Sequence, residues 1–242
     1  MADLKVTVLC DDINGREKGW QPDPGFAALI QTQKQLVLFD TGMYPEHLSN
    51  NLQQTGIKAA DINAVILSHN HNDHTNGLEA VLQENTSVPV YIHSRWEKKI
   101  PFIGKTIPAA NTKTVSRFGT QPGLPDNILI TPPLPSPDYG GIYEQGIYIG
   151  CAHNMIMICG CCHPGLTAFL QQQSQLGITE NLPLTIIGGM HGFRFSQAEA
   201  ASLTAHLKTV ILAHCTQHVA LFRKQFQDKC SLNRLGQDYH FT

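Results

Sequence analysis

Apolar residues along this chain come in short runs separated by turns. KVTVL (5–9), FAALIQ (26–31) and QLVLF (35–39) read as strands, the last two as a hairpin across a short polar turn. A helix fits 46–55 and is stopped by Gly56. AVILS (64–68) is apolar at consecutive positions, as in a strand covered on both faces. A polar burst, HNHNDHTNG, follows it, then the helix-like LEAVLQ and the strand VPVYIH (88–93). Farther on, GIYIG (146–150) and MIMIC (155–159) predict a strand pair turning near Asn154. Helical spacing at 165–176 and 197–207 alternates with the strands LTIIGG (184–189) and TVILA (209–213), and a last helix fits 217–227. Ser196, with Glu199 three residues on, has the form of a capping box. Each half runs strands first and then alternates strand and helix, which predicts one α/β domain over 1–242.

Residues 101–145 break that rhythm. Eight of the 14 prolines lie there, so the stretch reads as a long irregular, lid-like loop.

Composition narrows the class. Apolar residues are 42% and charged residues 15%, which predicts a core and excludes disorder. Seventeen basic against 19 acidic residues leave a net charge of −2, so no cationic field draws the protein to nucleic acid or an anionic membrane. No apolar run reaches the roughly 18 residues of a membrane span. The start, MADLKVTVLCDD, lacks the pattern of a signal peptide. With seven cysteines, an odd count, the chain reads as a cytoplasmic protein with reduced thiols. Twelve histidines in so weakly charged a chain are the unusual feature, because imidazole is both a metal ligand and a base at neutral pH.

The histidines concentrate. His69-Asn70-His71-Asn72-Asp73-His74 follows the buried strand 64–68 directly. Alternate residues of an extended segment point the same way, so His69 and His71 can share one metal ion. Asp73 and His74 fall where the loop turns into a helix and can face a second. Three further histidines stand at strand ends: His163 in GCCHPG, His191 in GGMHG and His214 in AHCT. Asp40, closing a strand, is placed to accept imidazole N–H groups. His93 ends another strand and is a candidate substrate contact. Arg194, Arg95 and Lys105 are candidates for binding a substrate phosphate. Cys151, His153, Cys159 and Cys161 do not have the spacing of a structural zinc site. Cys161 and Cys162 beside a metal offer a soft extra ligand.

These residues resemble the metallo-β-lactamase superfamily. The match is carried by SHNHNDHTNG (68–77), by Phe39-Asp40-Thr41-Gly42 and by the three later histidines in order. GCCHPG (160–165), GGMH (188–191) and HCT (214–216) are similar to the branch that includes dihydropterin ribofuranosyl-aminobenzene phosphate synthase. The resemblance implies a four-layer αββα sandwich with two divalent ions, zinc in the first place and manganese or iron otherwise. It implies that His69, His71 and His163 bind one ion and that Asp73, His74 and His214 bind the other. The bridging Asp frequent in the superfamily has no counterpart on 184–188, and His191 is the candidate replacement. Cys162 and Gln217 also depart from the branch pattern.

The expected function is a metal-dependent hydrolase in which a water activated by two metal ions attacks a small anionic metabolite, with Asp73 as ligand and orienter of that water. The rivals are a pterin-related synthase of the same branch, a non-catalytic metal- or ligand-binding protein on this fold, and an iron redox protein. The last is weakened because the chain shows no flavin-binding module.

Overall fold

The computed structural model describes residues 4–97, 99–137, 141–175 and 182–242. The first half contributes β1 (Leu4–Cys10), β2 (Ala27–Gln31), β3 (Leu36–Phe39), α1 (Pro45–Gln54) and β4 (Ala64–Ile66). It continues with the one-turn α2 (Asn72–Thr75), α3 (Leu78–Glu84), β5 (Val90–His93) and β6 (Thr112–Val115). The second half holds β7 (Ile128–Ile130), β8 (Leu134–Pro135), β9 (Tyr143–Glu144), β10 (Ile147–Gly150), β11 (Met155–Cys159) and α4 (Leu166–Gln175). It ends with β12 (Leu184–Gly188), α5 (Gln197–His206), β13 (Leu207–Leu212), α6 (Val219–Phe226), β14 (Cys230–Leu232) and β15 (Asp238–Phe241). The tail of the helix expected at 165–176 lies outside the described residues.

Two sheets result. One runs β15-β1-β2-β3-β4-β5-β6, the other β14-β13-β12-β11-β10-β7. Each joins an antiparallel part to a parallel part: β3, β4, β5 and β6 are parallel in the first, and β11, β12, β13 and β14 in the second.

The alternation of side chains along these strands builds the layers. Val6, Val8, Ile30, Val37, Phe39 and Ile66 of the first sheet face Ile147, Ile149, Ile156, Ile158, Ile187 and Ile211 of the second in one buried core. Their sequence neighbours point the other way. Leu29, Leu38 and Val65 pack under Leu48 and Leu52 of α1 and Val81 of α3. Met157, Ile186 and Leu212 pack under Phe169 of α4, Leu203 of α5 and Phe222 and Phe226 of α6. The result is the helix–sheet–sheet–helix sandwich expected from the sequence, with three apolar interfaces. Each buried Leu, Ile or Phe side chain contributes about 1.5–3 kcal/mol.

The stretch 101–145 is less irregular than its prolines suggest. It carries β6 at the edge of the first sheet, β7 at the edge of the second and the small β8–β9 pair. Proline is tolerated beside edge strands because no second neighbour needs its missing N–H. Among the described residues no helix is long and apolar enough to cross a membrane.

Candidate metal centre

The parallel strands of both sheets end at one edge, and their exit loops meet there. Beyond β4, the Ser68 N–H donates to Asp40 Oδ1 at 2.6 Å and the Ser68 hydroxyl donates to Asp40 Oδ2 at 2.7 Å. The chain then bends at His69 and Asn70 and is extended again at His71, which precedes α2 at φ −88 and ψ 150. Across this bend the rings of His69 and His71 meet, with centroids 4.7 Å apart and His69 Nε2 3.0 Å from His71 Nδ1. The single turn α2 carries Asp73 and His74 onto the neighbouring position. Its carbonyls are tied into the first sheet: Phe26 donates to Asp73 O at 3.3 Å and Thr41 to His74 O at 2.9 Å.

The second sheet brings the rest. His163 leaves β11 and places its ring 4.8 Å from that of His69. His214 leaves β13, and its ring centroid lies 5.6 Å from that of His74. Two compact donor groups emerge. The donor atoms of His69, His71 and His163 lie within 4.8 Å of one another, and so do those of Asp73, His74 and His214. Cys161 joins two further groups of the same size, one with His69 and His74 and one with His214 and Cys215.

The two triads differ in charge. Burial, then the neighbouring imidazoles, pushes His69 well below the ordinary histidine range. The same causes take His71 down to about 4 and His163 to about 2. These rings are neutral at pH 7 and present lone pairs, the form that binds a cation. In the other triad burial opposes the charged imidazoles, but carboxylates override it. Asp73 and Asp40 raise His74, whose Nδ1 lies 2.7 Å from Asp40 Oδ2. Asp12 and Asp73 raise His214 well above its ordinary range, with its Nδ1 3.1 Å from Asp12 Oδ1 and its Nε2 3.1 Å from Asp73 Oδ2. Asp73 itself is held below the usual carboxylate range, despite burial, by His74 and His214. A lone-pair-rich triad beside a carboxylate–imidazole triad suits two divalent ions: nitrogen donors fit zinc or iron, and the carboxylate adds an anionic ligand. The Asp73 side chain, 24% exposed, marks where solvent reaches the cluster.

The remaining candidates take other places. His191 packs its ring 4.7 Å from that of His163 and, among the described residues, belongs to none of the compact donor groups. His93 is fully buried with its ring 5.1 Å from Trp96, and burial takes it down to about 4. Arg194 is exposed and donates to His218 Nε2 at 2.9 Å. Arg95 lies 4.9 Å over the Tyr143 ring, and Lys105 pairs with Glu79. Phe102 and Ile103 are exposed at the rim, 69% and 44%. This segment is zipped to the 69–74 loop, with Asn72 donating to Phe102 O at 2.8 Å and Gly104 to Asn70 O at 3.1 Å.

Three supports escaped sequence reading. Glu144 is fully buried and accepts four backbone N–H groups: Gly160, Cys161 and Cys162 on Oε1 at 3.0, 3.1 and 3.0 Å, and His163 on Oε2 at 2.7 Å. Burial still lifts it to about 7, against those donors. Gln145 donates from Nε2 to the carbonyls of Leu67 and Tyr91 at 2.9 and 3.2 Å. Asp11 accepts the His214 N–H at 2.9 Å and an Asn233 amide N–H at 2.6 Å. Gly160 is required where it stands, because a Cβ there would lie 2.3 Å from Ser68 Oγ and 2.8 Å from Asp40 Oδ2.

Residues 20–146 match the family model of the metallo-β-lactamase superfamily, just over half of the chain. The chain belongs to that superfamily. It is 25% identical to the 7,8-dihydropterin-6-methyl-4-(β-D-ribofuranosyl)-aminobenzene-5′-phosphate synthase of Methanocaldococcus jannaschii, over 93% of this chain and 92% of that one. A shorter stretch, 32% of this chain and 29% of the relative, is 36% identical to a probable metallo-hydrolase of Bacillus subtilis. Among solved structures, a metal-dependent hydrolase of the β-lactamase superfamily superposes with a TM-score of 0.77 over 99% of each chain at 21% identity. A diphosphatase of the PhnP family superposes with a TM-score of 0.58 at 16% identity, over 100% of this chain and 98% of that one. At these identities the solved structures speak for the fold. The superfamily and its sandwich agree with the resemblance read from the sequence.

Proposed function

We propose that this member of the superfamily is a metal-dependent hydrolase of a small anionic metabolite. The observation that carries the reading is the convergence of two donor triads, from loops of both sheets, on one edge of the sandwich. Two divalent ions, zinc in the first place, would be held by His69, His71 and His163 and by Asp73, His74 and His214. Bound there, they would supply Lewis acidity, acidifying a water and polarising a substrate oxygen.

The protein groups do the rest. Asp73, kept ionised by its two imidazole neighbours, accepts a hydrogen bond from the attacking water and orients it. Asp40 and Asp12 hold the Nδ1 atoms of His74 and His214, so each Nε2 faces the cluster. Phe102 and Ile103 form an apolar rim for the uncharged part of a substrate, and Arg194 is a cation close by in sequence to His191. A reducing cytoplasm suits seven thiols without a disulfide.

The test combines elemental analysis with a panel of phosphodiester, thioester, lactone and lactam substrates. We expect one to two bound ions per chain, about two when fully loaded. His71→Ala should lower turnover by about 10²-fold or more, as loss of a group that stabilises the transition state does. No metal after reconstitution, or unchanged activity in His71→Ala, would reject the reading.

The near full-length alignment with the dihydropterin synthase favours a second reading, a pterin-related synthase. Tight binding of a pterin by a protein that turns over no simple ester would select it.

A further inference from the structure

A sulfur lies between the two triads. Cys161 Sγ falls within 4.8 Å of the His69 and His74 donor atoms on one side and of the His214 and Cys215 donor atoms on the other. It is 3.0 Å from His74 Nε2. His74 also touches both sides but cannot serve both, because Asp40 engages its Nδ1 at 2.7 Å and one lone pair remains. A thiolate carries several lone pairs and can be shared by two cations.

We propose that Cys161 supplies a thiolate shared by the two triads, making this a mixed nitrogen, oxygen and sulfur centre. The proposal rests on the metal-dependent reading above and adds a ligand to it.

The surroundings leave this role to Cys161. β12 leads into Gly188 and Gly189 and brings no carboxylate. A Cβ on Gly189 would lie 2.4 Å from the His214 carbonyl, 2.7 Å from Cys215 Sγ and 2.7 Å from the Gly160 carbonyl, so no side chain fits there. His191, the next titratable residue, turns to His163 instead. Cys161 is also held in place. Its N–H donates to buried Glu144 at 3.1 Å, and the left-handed turn at Cys162 (φ 59) follows it. That clamp fixes the same turn that delivers His163, so the sulfur and the imidazole are set by one anchor.

Binding is a simple exchange. The S–H bond breaks, a metal–sulfur bond forms and the proton leaves to solvent, with no change of oxidation state. A thiolate in the set favours zinc or iron over manganese and magnesium.

Cobalt(II) is the probe. The full chain is stripped with a chelator, reloaded with cobalt(II), and followed by absorption spectroscopy and elemental analysis on the same samples. Wild type should take up about two cobalt ions and show a sulfur-to-cobalt charge-transfer band in the near ultraviolet. Cys161→Ser should lose the band and weaken the second ion by at least the roughly 10–100-fold that even an outer partner of a ligand costs. Cys215→Ser should keep the band. Cys161→Asp should restore the second ion without the band, which separates loss of a ligand from loss of the fold. Cobalt uptake by wild type with no band, or an intact band in Cys161→Ser, overturns the sulfur assignment alone. A wild type that takes up neither cobalt nor zinc overturns the metal-dependent reading and this inference with it.

Discussion

A buried carboxylate that receives four backbone N–H groups, as Glu144 does, replaces the solvent that a tight turn would otherwise need. Removing it orphans those donors, and each orphaned buried group costs about 1–3 kcal/mol. Glu144→Ala should therefore lower unfolding free energy by roughly 3 kcal/mol or more and impair metal loading, as urea titration and elemental analysis would read. A loss of less than about 1 kcal/mol would mean that water takes over its bonds. Glu144→Gln should be milder, because the amide oxygen can serve the Oε1 donors while its NH₂ confronts the His163 N–H. Asp40 acts through His74. Asp40→Asn keeps the shape but removes the charge, and should weaken zinc by roughly 10–100-fold with the fold intact. A chelator-competition titration checks this, and unchanged affinity would remove Asp40 from the centre. At this scale the cluster of candidate donors was legible, because His69, His71, Asp73 and His74 crowd one loop and His163 and His214 stand at strand ends. Glu144 was not. A single Glu between Tyr143 and Gln145 has no local pattern, and its partners lie 16–19 residues away across a strand pair.

The elements follow their local sequences closely where burial is two-sided. AVILS, MIMIC and LTIIGG became β4, β11 and β12, strands buried at every position. The capping box at α5 is formed: Glu199 N–H donates to Ser196 Oγ at 3.2 Å and Ser196 N–H to Glu199 Oε2 at 2.8 Å. Ser196→Ala should cost about 1 kcal/mol in urea unfolding and leave metal content unchanged, since α5 packs away from the centre. A loss near zero would mean that the Thr167 hydroxyl bond to Glu199, 2.7 Å, holds α5 to α4 without the cap. The edge strands were not legible. β14 (CSL) and β15 (DYHF) are short and mostly polar, and they exist because β13 and β1 offer open edges to pair with. The last helix begins at Val219 rather than 217 because His218, at φ −108 and ψ 40, is not in helical geometry. The expected gap between α5 and the next strand vanishes, with β13 starting at Leu207 directly after the helix.

Across the whole molecule, the centre is the place where the two sheets are stitched together beyond their shared apolar core. Asp11 of the first sheet's loop reaches His214 of the second, and Asp73 reaches it again. Ions bound across that seam would couple the halves. Chelation should lower the melting temperature and zinc should restore it, by about 2.7 kcal/mol of stability when free zinc is 100 times its Kd. Calorimetry in chelator and in zinc measures this, and equal melting temperatures would count against a seam-spanning centre. The stretch 101–145 has a part in the same architecture. Near its start Phe102 and Ile103 stand exposed at the rim. At its end Glu144 bolts the Cys161–His163 turn, and Gln145 bolts the strand ends behind His69. One length of chain thus separates tuning from anchoring. Side chains at Phe102 and Ile103 can therefore vary without touching the anchors of the donor cluster, whereas the same variation at Glu144 and Gln145 would loosen the turn and strand ends that carry it.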